Sequence, residues 1–545
     1  MTKSIFLVAA VLYFLFACQP QNKKLVIKGK VFTEENTTPV MAHVRLLVPG
    51  LVPDVYDKTV RVESNGTFKM EIDSATYMRI MVSAVNHHPL YIPIYTDTVP
   101  GDISLDVRLK HYDYYPEFED VRITGGWNKF EFSTALPMQK QDDGTFVTTI
   151  EPSADTVAYE LLGITQDMRS VNGTMSDRFH LDGGGDYMSV IHAKADLVKI
   201  IFDPALLKRS KLDEPVVRFS PPYTHLNKLI EIDRYVEKEQ QRYRKEARAY
   251  RQRKKSLDGF AFNGDSLKNY LINLSQSAQP PVNKYAFFKL AEMSLFMIPL
   301  DSLTCRTILA SIPINDPIWE SNPMIFPFIY LYKLNDSDGL KTILPQIKSR
   351  LVAGNVIANL GMKAYYEGDK KTADEYYKQL KEGYADIPSL KHYIKRLNPD
   401  KKVAVGKPLP RFSIRLMDSD QTISNKELRG KYTLIDFWAV WCSPCVGEMP
   451  SLHAAYKKFK SPRFNILSLS FDGKEDDVRK FRKEQWPMPW LHAFVKGGFR
   501  SKLANEFEVM GIPKPILVDP NGIIVAMEGD LRGENLEKIL KKYLK

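Results

Sequence analysis

A run of buried-strand length that feeds straight into a C-x-x-C pair and then into a helix constrains this chain more than any other stretch. Tyr432 to Trp438 is apolar except at Thr433 and Asp436, and Val446-Gly447-Glu448-Met449-Pro450 opens a helical pattern that continues through Leu452, Tyr456 and Phe459. Between them stand Ala439-Val440-Trp441-Cys442-Ser443-Pro444-Cys445. The order strand, dithiol, helix calls for an α/β layer in which Cys442 lies near a helix N-terminus. The partial positive charge of unpaired N–H groups there favours thiolate over thiol, drawing a cysteine pKa from about 8.5 towards roughly 7. Cys442 therefore reads as the nucleophile and Cys445, one turn further in, as the resolving thiol.

A bare C-x-x-C also serves zinc and haem attachment, and two unreactive core cysteines are the bland alternative. Zinc normally takes four ligands, and the chain has no second cysteine pair. Haem attachment wants His after the second Cys, where Val446 stands. The site is thus expected to work with sulfur alone, without a cofactor or a metal.

The surrounding residues extend the signal. Gly406-Lys407-Pro408-x-Pro410-x-Phe412, Leu428-Arg429-Gly430-Lys431, Phe437-Trp438-x-x-Trp441-Cys442-x-Pro444-Cys445 and Glu448-Met449-Pro450 resemble the TlpA/ResA branch of the thioredoxin superfamily over residues 403–545. The resemblance implies a thioredoxin-like fold and places the family's active-site cis-proline at Pro513 in Gly511-Ile512-Pro513. Lys514-Pro515 departs from the small hydroxyl residues usual there.

Two acids are candidate proton carriers. Asp436, six residues before Cys442, occupies the position of thioredoxin's buried carboxylate, where the TlpA/ResA branch commonly has Asn. Buried, it would have a raised pKa and could relay the proton of Cys445. Glu448, three residues after Cys445, matches the family's active-site glutamate; its plain alternative is a first-turn helix acid. The implied chemistry is thiol–disulfide exchange through a mixed disulfide, which makes the chain a thioredoxin-like oxidoreductase. With no basic or imidazole group in the dipeptide Ser443-Pro444, the direction expected is that of a reductant or isomerase.

The N-terminus speaks to compartment. Lys3 and the apolar run Ile5 to Ala17 form a secretory n-region and h-region, too short for a standard membrane span. Leu15-Phe16-Ala17-Cys18 resembles a bacterial lipobox, which implies a leader over residues 1–18 and acylation of Cys18; Gln19 then favours the outer membrane, periplasm-facing. A secretory signal peptide or uncleaved anchor is the alternative. Of four cysteines, only Cys305 is left over, and within Leu303-Thr304-Cys305 it reads as a small buried hydrophobe. The partners expected are disulfide-containing exported proteins, a membrane electron donor for thiols and, through lipid, the membrane itself.

With 545 residues, 44% of them hydrophobic, the chain has material for several cores. Residues 23–110 alternate apolar and polar as in a small β-sandwich resembling regulatory-like or Ig-like modules. Residues 115–205 give a second sandwich pattern, similar to early-set modules that include glycan binders; Trp127 is its one candidate sugar platform, though a buried Trp fits better. From 210 to 398 the period turns helical. Leu229, Val236, Tyr243 and Tyr250 mark one long helix, and Leu360-Gly361, Gly368, Ala373 and Tyr377 have the spacing of one tetratricopeptide-like helix pair. The long helix ends in a basic run from Arg242 to Lys255, which holds much of the net charge of +11. In an exported chain that run reads as a solvated face or a contact with anionic headgroups, and nucleic acid is not expected. The fold class is therefore multidomain: two N-terminal β-sandwich-like domains, a helical middle and a C-terminal α/β thioredoxin-like fold. Two other functions stay open, a binding or scaffold lipoprotein for a glycan or protein partner, and a copper handler using Cys442, Cys445 and His492, since soft thiolates bind Cu(I).

Overall fold

The computed structural model describes residues 24–544 apart from 50–55, 74–76, 97–98, 100, 153, 168, 177, 183–185, 194–196 and 255–258. The leader and Cys18 lie outside the described residues. The chain divides into two compact units, one of Met1–Gln240, Asn263–Asn359 and Asp386–Ser389, the other of Gln241–Phe262, Leu360–Ala385 and Leu390–Lys545.

The first unit opens with two four-stranded sheets. One runs Val216–Phe219, Ile103–Arg108, Lys24–Phe32, Thr67–Asp73; the other Tyr56–Arg61, Ala42–Leu47, Tyr77–Ala84, Leu90–Tyr95. Alternation drives Lys24–Phe32, where Ile27 and Val31 are buried and Lys28 and Lys30 are exposed. Tyr77–Ala84 and Leu90–Tyr95 are instead buried at almost every position, and Val44, Ile80, Val82 and Ile92 are buried together with Arg45 and Ser83. Gly29 pairs in parallel with Leu105, and a Cβ there would stand 1.6 Å from the Leu105 carbonyl oxygen, so only glycine lets the two strands pair at that point. A five-stranded sheet (Arg178–Leu181, Tyr187–His192, Thr156–Leu162, Arg122–Gly125, Leu136–Pro137) and a three-stranded one (Gln139–Lys140, Phe146–Ile150, Val198–Phe202) follow. Ile123, Phe146, Tyr159, Leu161, Ile200 and Phe202 form their shared core, and Trp127 packs partly buried against it rather than standing out as a platform.

The helical pattern expected from residue 210 begins only at Thr224; Val216–Phe219 is instead an edge strand of the first sheet. The helix Thr224–Lys254 buries Leu226, Leu229, Ile230 and Val236. Beside it, on Val282–Met293, Lys289 Nζ lies 3.1 Å from Asp233 Oδ1 and 3.0 Å from Glu292 Oε2, while the Tyr285 hydroxyl donates to Asp233 Oδ1 at 2.6 Å. The buried Lys289 ammonium thus has two carboxylate partners, as burial requires. Cys305 is a free thiol buried in the helix Ser302–Ser311.

The second unit is built on a mixed five-stranded sheet in the order Leu491–Phe494, Phe464–Ser470, Tyr432–Trp438, Lys514–Val518, Ile524–Met527. The first three strands run parallel, and Lys514–Val518 runs antiparallel to Tyr432–Trp438. Helices Met449–Phe459, Glu475–Glu484 and Glu534–Tyr543 turn the apolar residues Leu452, Val478, Phe481, Leu536 and Leu540 into the same core. A central strand covered on both faces reads as continuously apolar, which accounts for Leu434, Ile435, Phe437 and Trp438 being wholly buried. This is the α/β layout expected for the C-terminal part. In the same unit Tyr243 and Tyr250 of the long helix pack on Phe260 and Phe262. The residues read as a tetratricopeptide-like pair fall on the helices Arg350–Glu367 and Lys370–Gly383, joined at Gly368 with φ +79°. Among the described residues no helix is long and apolar enough to cross a membrane.

Candidate redox site

The strand Tyr432–Trp438 leaves the sheet through Ala439-Val440-Trp441, and Cys442 caps the short helix Ser443–Gly447. Pro444 suits the first turn, where its missing N–H is no loss. Cys442 and Cys445 are joined in a disulfide of 2.03 Å with Cα atoms 5.2 Å apart, and both are buried. The Cys445 amide donates to Cys442 Sγ at 3.2 Å, so the sulfur at position 442 receives the helix-end N–H that would stabilise a thiolate. Beside this buried pair stand two exposed aromatic rings. Trp441 is 57% exposed and Phe499 40%, with ring centroids 6.4 Å apart.

Asp436 is 4% exposed in the middle of the central strand, beside Ser468 on one side and Pro515 on the other. Burial, reinforced by the nearby Glu448 and opposed by Arg532, pushes its carboxyl up to about 7. Glu448 sits at the junction between Ser443–Gly447 and Met449–Phe459, and its Oε2 accepts from the Gly533 amide at 2.8 Å. The neighbouring Arg532 donates to the Pro513 carbonyl oxygen. The Ile512–Pro513 bond is cis. Because Lys514 pairs with Phe437, Pro513 lies at the end of the sheet from which the dithiol loop leaves. Glu448 and Pro513, named separately from sequence, are thus joined through the adjacent residues Gly533 and Arg532, which local sequence does not single out, and Asp436 feels the charges of Glu448 and Arg532.

One further group escapes sequence reasoning. Asp472 is buried, accepts from the Val440 amide at 2.9 and 3.1 Å and from Ser470 Oγ at 2.8 Å, and so ties the loop preceding Cys442 to the neighbouring strand. Burial, partly offset by those hydrogen bonds, pushes its carboxyl up to about 6. The only signal was an acid just past a strand, in Ser470-Phe471-Asp472-Gly473. Lys514, the departure noted after Pro513, buries its ammonium and donates to the Glu508 carbonyl oxygen at 2.8 Å; burial, against the pull of Glu528 and Glu508, lowers its pKa to about 8. His492, the candidate third copper ligand, is buried with Nε2 3.1 Å from the Met488 carbonyl oxygen, and burial followed by the charge of Arg482 drives its pKa down to about 3. Among the described residues no three or more His, Cys, Asp or Glu side chains are grouped to hold a metal.

Comparison with known proteins places this geometry. Residues 430–524 match the Thioredoxin-like family model. The thiol-disulfide oxidoreductase ResA of Bacillus thuringiensis subsp. konkukian is 30% identical over 146 residues, 27% of this chain and 80% of that protein. Nucleoredoxin of Bos taurus is 31% identical over 117 residues, 21% of this chain and 26% of that protein. Among solved structures, the thioredoxin domain of a thiol-disulfide oxidoreductase from Bacteroides vulgatus shares 32% identity and covers 26% of this chain and 99% of its own, with a TM-score of 0.25. A dithiol at a strand–helix junction, held in a thioredoxin-like sheet and aligned with most of ResA, makes the chain a member of the ResA-like thiol–disulfide oxidoreductases.

Proposed function

We propose that Cys442 exchanges disulfides with exported proteins, in the reducing or isomerising direction, from a site tethered to the envelope through an acylated Cys18. The observation that carries the reading is the Cys445 amide directed at Cys442 Sγ at the head of the helix. In the reducing direction the Cys442 thiolate attacks one sulfur of a substrate disulfide, and the other substrate sulfur leaves as thiolate and takes a proton. Cys445 then loses its proton, attacks Cys442 Sγ and releases the second substrate thiol, so two electrons pass to the substrate and the 442–445 disulfide remains. A membrane thiol donor would return the pair to the dithiol.

Asp436 and Glu448 are the proposed acceptors of the Cys445 proton. A carboxyl drawn to about 7 is matched to proton transfer near neutral pH, where general acid–base catalysis is most efficient. Pro513 is proposed to border the substrate chain at the mouth of the site. The lipobox-like run ending at Cys18 supports attachment to the outer membrane facing the periplasm, since acyl chains anchor without a transmembrane helix.

The test pairs an insulin-disulfide reduction assay with alkylation of the reduced protein. Iodoacetamide should modify Cys442 far faster than Cys445, and Cys442→Ser should abolish insulin reduction. Faster labelling of Cys445, or reduction that survives Cys442→Ser, would overturn the assignment.

A further inference from the structure

The basic end of the long helix meets the redox dipeptide. Arg251 of Thr224–Lys254 donates to the Ser443 hydroxyl, next to Cys442 in the chain, within one compact unit. Arg244, Arg248 and Arg251 recur at spacings of four and three, which sets them on one helix face. The aromatic stripe Tyr243 and Tyr250 lies on another face and is occupied by Phe260 and Phe262. Arg242 is spent on Glu246 at 2.9 Å and on the Phe262 ring. Arg244 and Arg248 are exposed, and among the described residues no carboxylate pairs with either.

Seven residues of helix rise roughly 10 Å, the reach of about three residues of extended chain at ~3.3 Å each. A row of guanidinium groups thus leads away from Ser443 over the span of a short peptide strand. At the site itself Trp441 and Phe499 offer an apolar rim. Guanidinium groups match carboxylates in fork geometry, and unpaired cations of one sign raise the local concentration of acidic ligands.

We propose that Arg244, Arg248 and Arg251 form a recognition ladder that selects disulfides flanked by acidic residues in the substrate polypeptide. The proposal rests on the exchange reading and adds the substrate class. It gives the basic helix a purpose that neither a merely solvated face nor a lipid contact requires, because its last rung stands on the residue beside the nucleophile.

The experiment uses the reduced full-length chain and three disulfide-linked peptides, identical except for three Glu, three Gln or three Lys after the reactive cysteine. Single-turnover reduction rates are each divided by the rate with dithiothreitol, which removes the intrinsic effect of flanking charge on the disulfide. The normalised Glu-to-Lys ratio should be about tenfold in dilute buffer and should fall towards one in ~0.5 M salt, where the Debye length shrinks to a few ångströms. In Arg244→Gln/Arg248→Gln the dilute-buffer ratio should fall to within about twofold of one. Both positions are exposed, and the ratio is internal to each protein, so loss of total activity does not blur it.

A ratio of one in the wild type, or a ratio unchanged in the double variant, would overturn the ladder. Sedimentation with vesicles of phosphatidylglycerol and phosphatidylcholine separates the other anion source. If the double variant loses vesicle binding while the peptide ratio is unchanged, the run serves lipid and the proposal falls. Failure to reduce even the Gln peptide would instead defeat the exchange reading on which it rests.

Discussion

Replacing Asp436 by Asn should make the redox unit's stability less dependent on pH. A carboxyl raised from 3.8 to about 7 binds its proton in the folded protein over a window where the unfolded chain has already released it. Its stabilising contribution is therefore complete below about pH 4 and drains away as pH rises through about 7. Worked between pH 5 and pH 8, the wild type loses roughly 2.5 kcal/mol through this one group, close to a hundredfold in the opening equilibrium, and Asn loses none of it. The assay is amide hydrogen exchange of the strand peptide 432–438 in the full chain, comparing variant with wild type at each pH so that intrinsic exchange rates cancel. The slowest amides of the variant should gain protection relative to wild type as pH rises from 5 to 8, whatever fixed packing cost the amide carries. A constant wild-type-to-variant ratio would mean that Asp436 titrates normally, and its proposed role as proton carrier would go with it. In turnover, Asp436→Asn should slow resolution by Cys445 by roughly a hundredfold near neutral pH while leaving Cys442 alkylation in place.

Other expectations follow from the same contacts. Asp472→Ala leaves the part-buried Val440 amide without its acceptor, which should cost about 1 kcal/mol or more locally and appear as faster exchange at Val440 to Cys442, whereas the strand Phe464–Ser470 stays protected. Lys289→Met strands the carboxylates of Asp233 and Glu292 and should destabilise the first unit by about 3–5 kcal/mol in urea unfolding; a loss under 1 kcal/mol would mean water reaches them. Cys18→Ala should move the protein from the membrane fraction to the soluble fraction and abolish labelling by a fatty-acid analogue, and unchanged sedimentation would point to a different attachment.

The redox unit was legible because its signals are local. A mostly apolar central strand, a two-residue gap between cysteines and a helical period lie within thirty residues of one another, and Asp436 stands out as the one acid in that strand. What escaped notice depends on contacts far apart in sequence. Gly533 reaches Glu448 and Asp472 reaches Val440 across the fold, and neither sits in a motif. The strand Val216–Phe219 is not legible as a strand because its four residues carry no alternation of their own; its partner, Ile103–Arg108, lies more than a hundred residues earlier. In sequence the basic helix end is only a charge run, since nothing in its periodicity says that Arg251 meets Ser443.

The central claim is that Cys442 carries the bond to substrate and Cys445 resolves it. A Cys445→Ser variant, recovered from cells with free thiols blocked, tests it most directly. Mass spectrometry should find polypeptides joined through a disulfide to Cys442, released by reductant and absent from Cys442→Ser/Cys445→Ser. No adducts, or adducts held at Cys305, would contradict it.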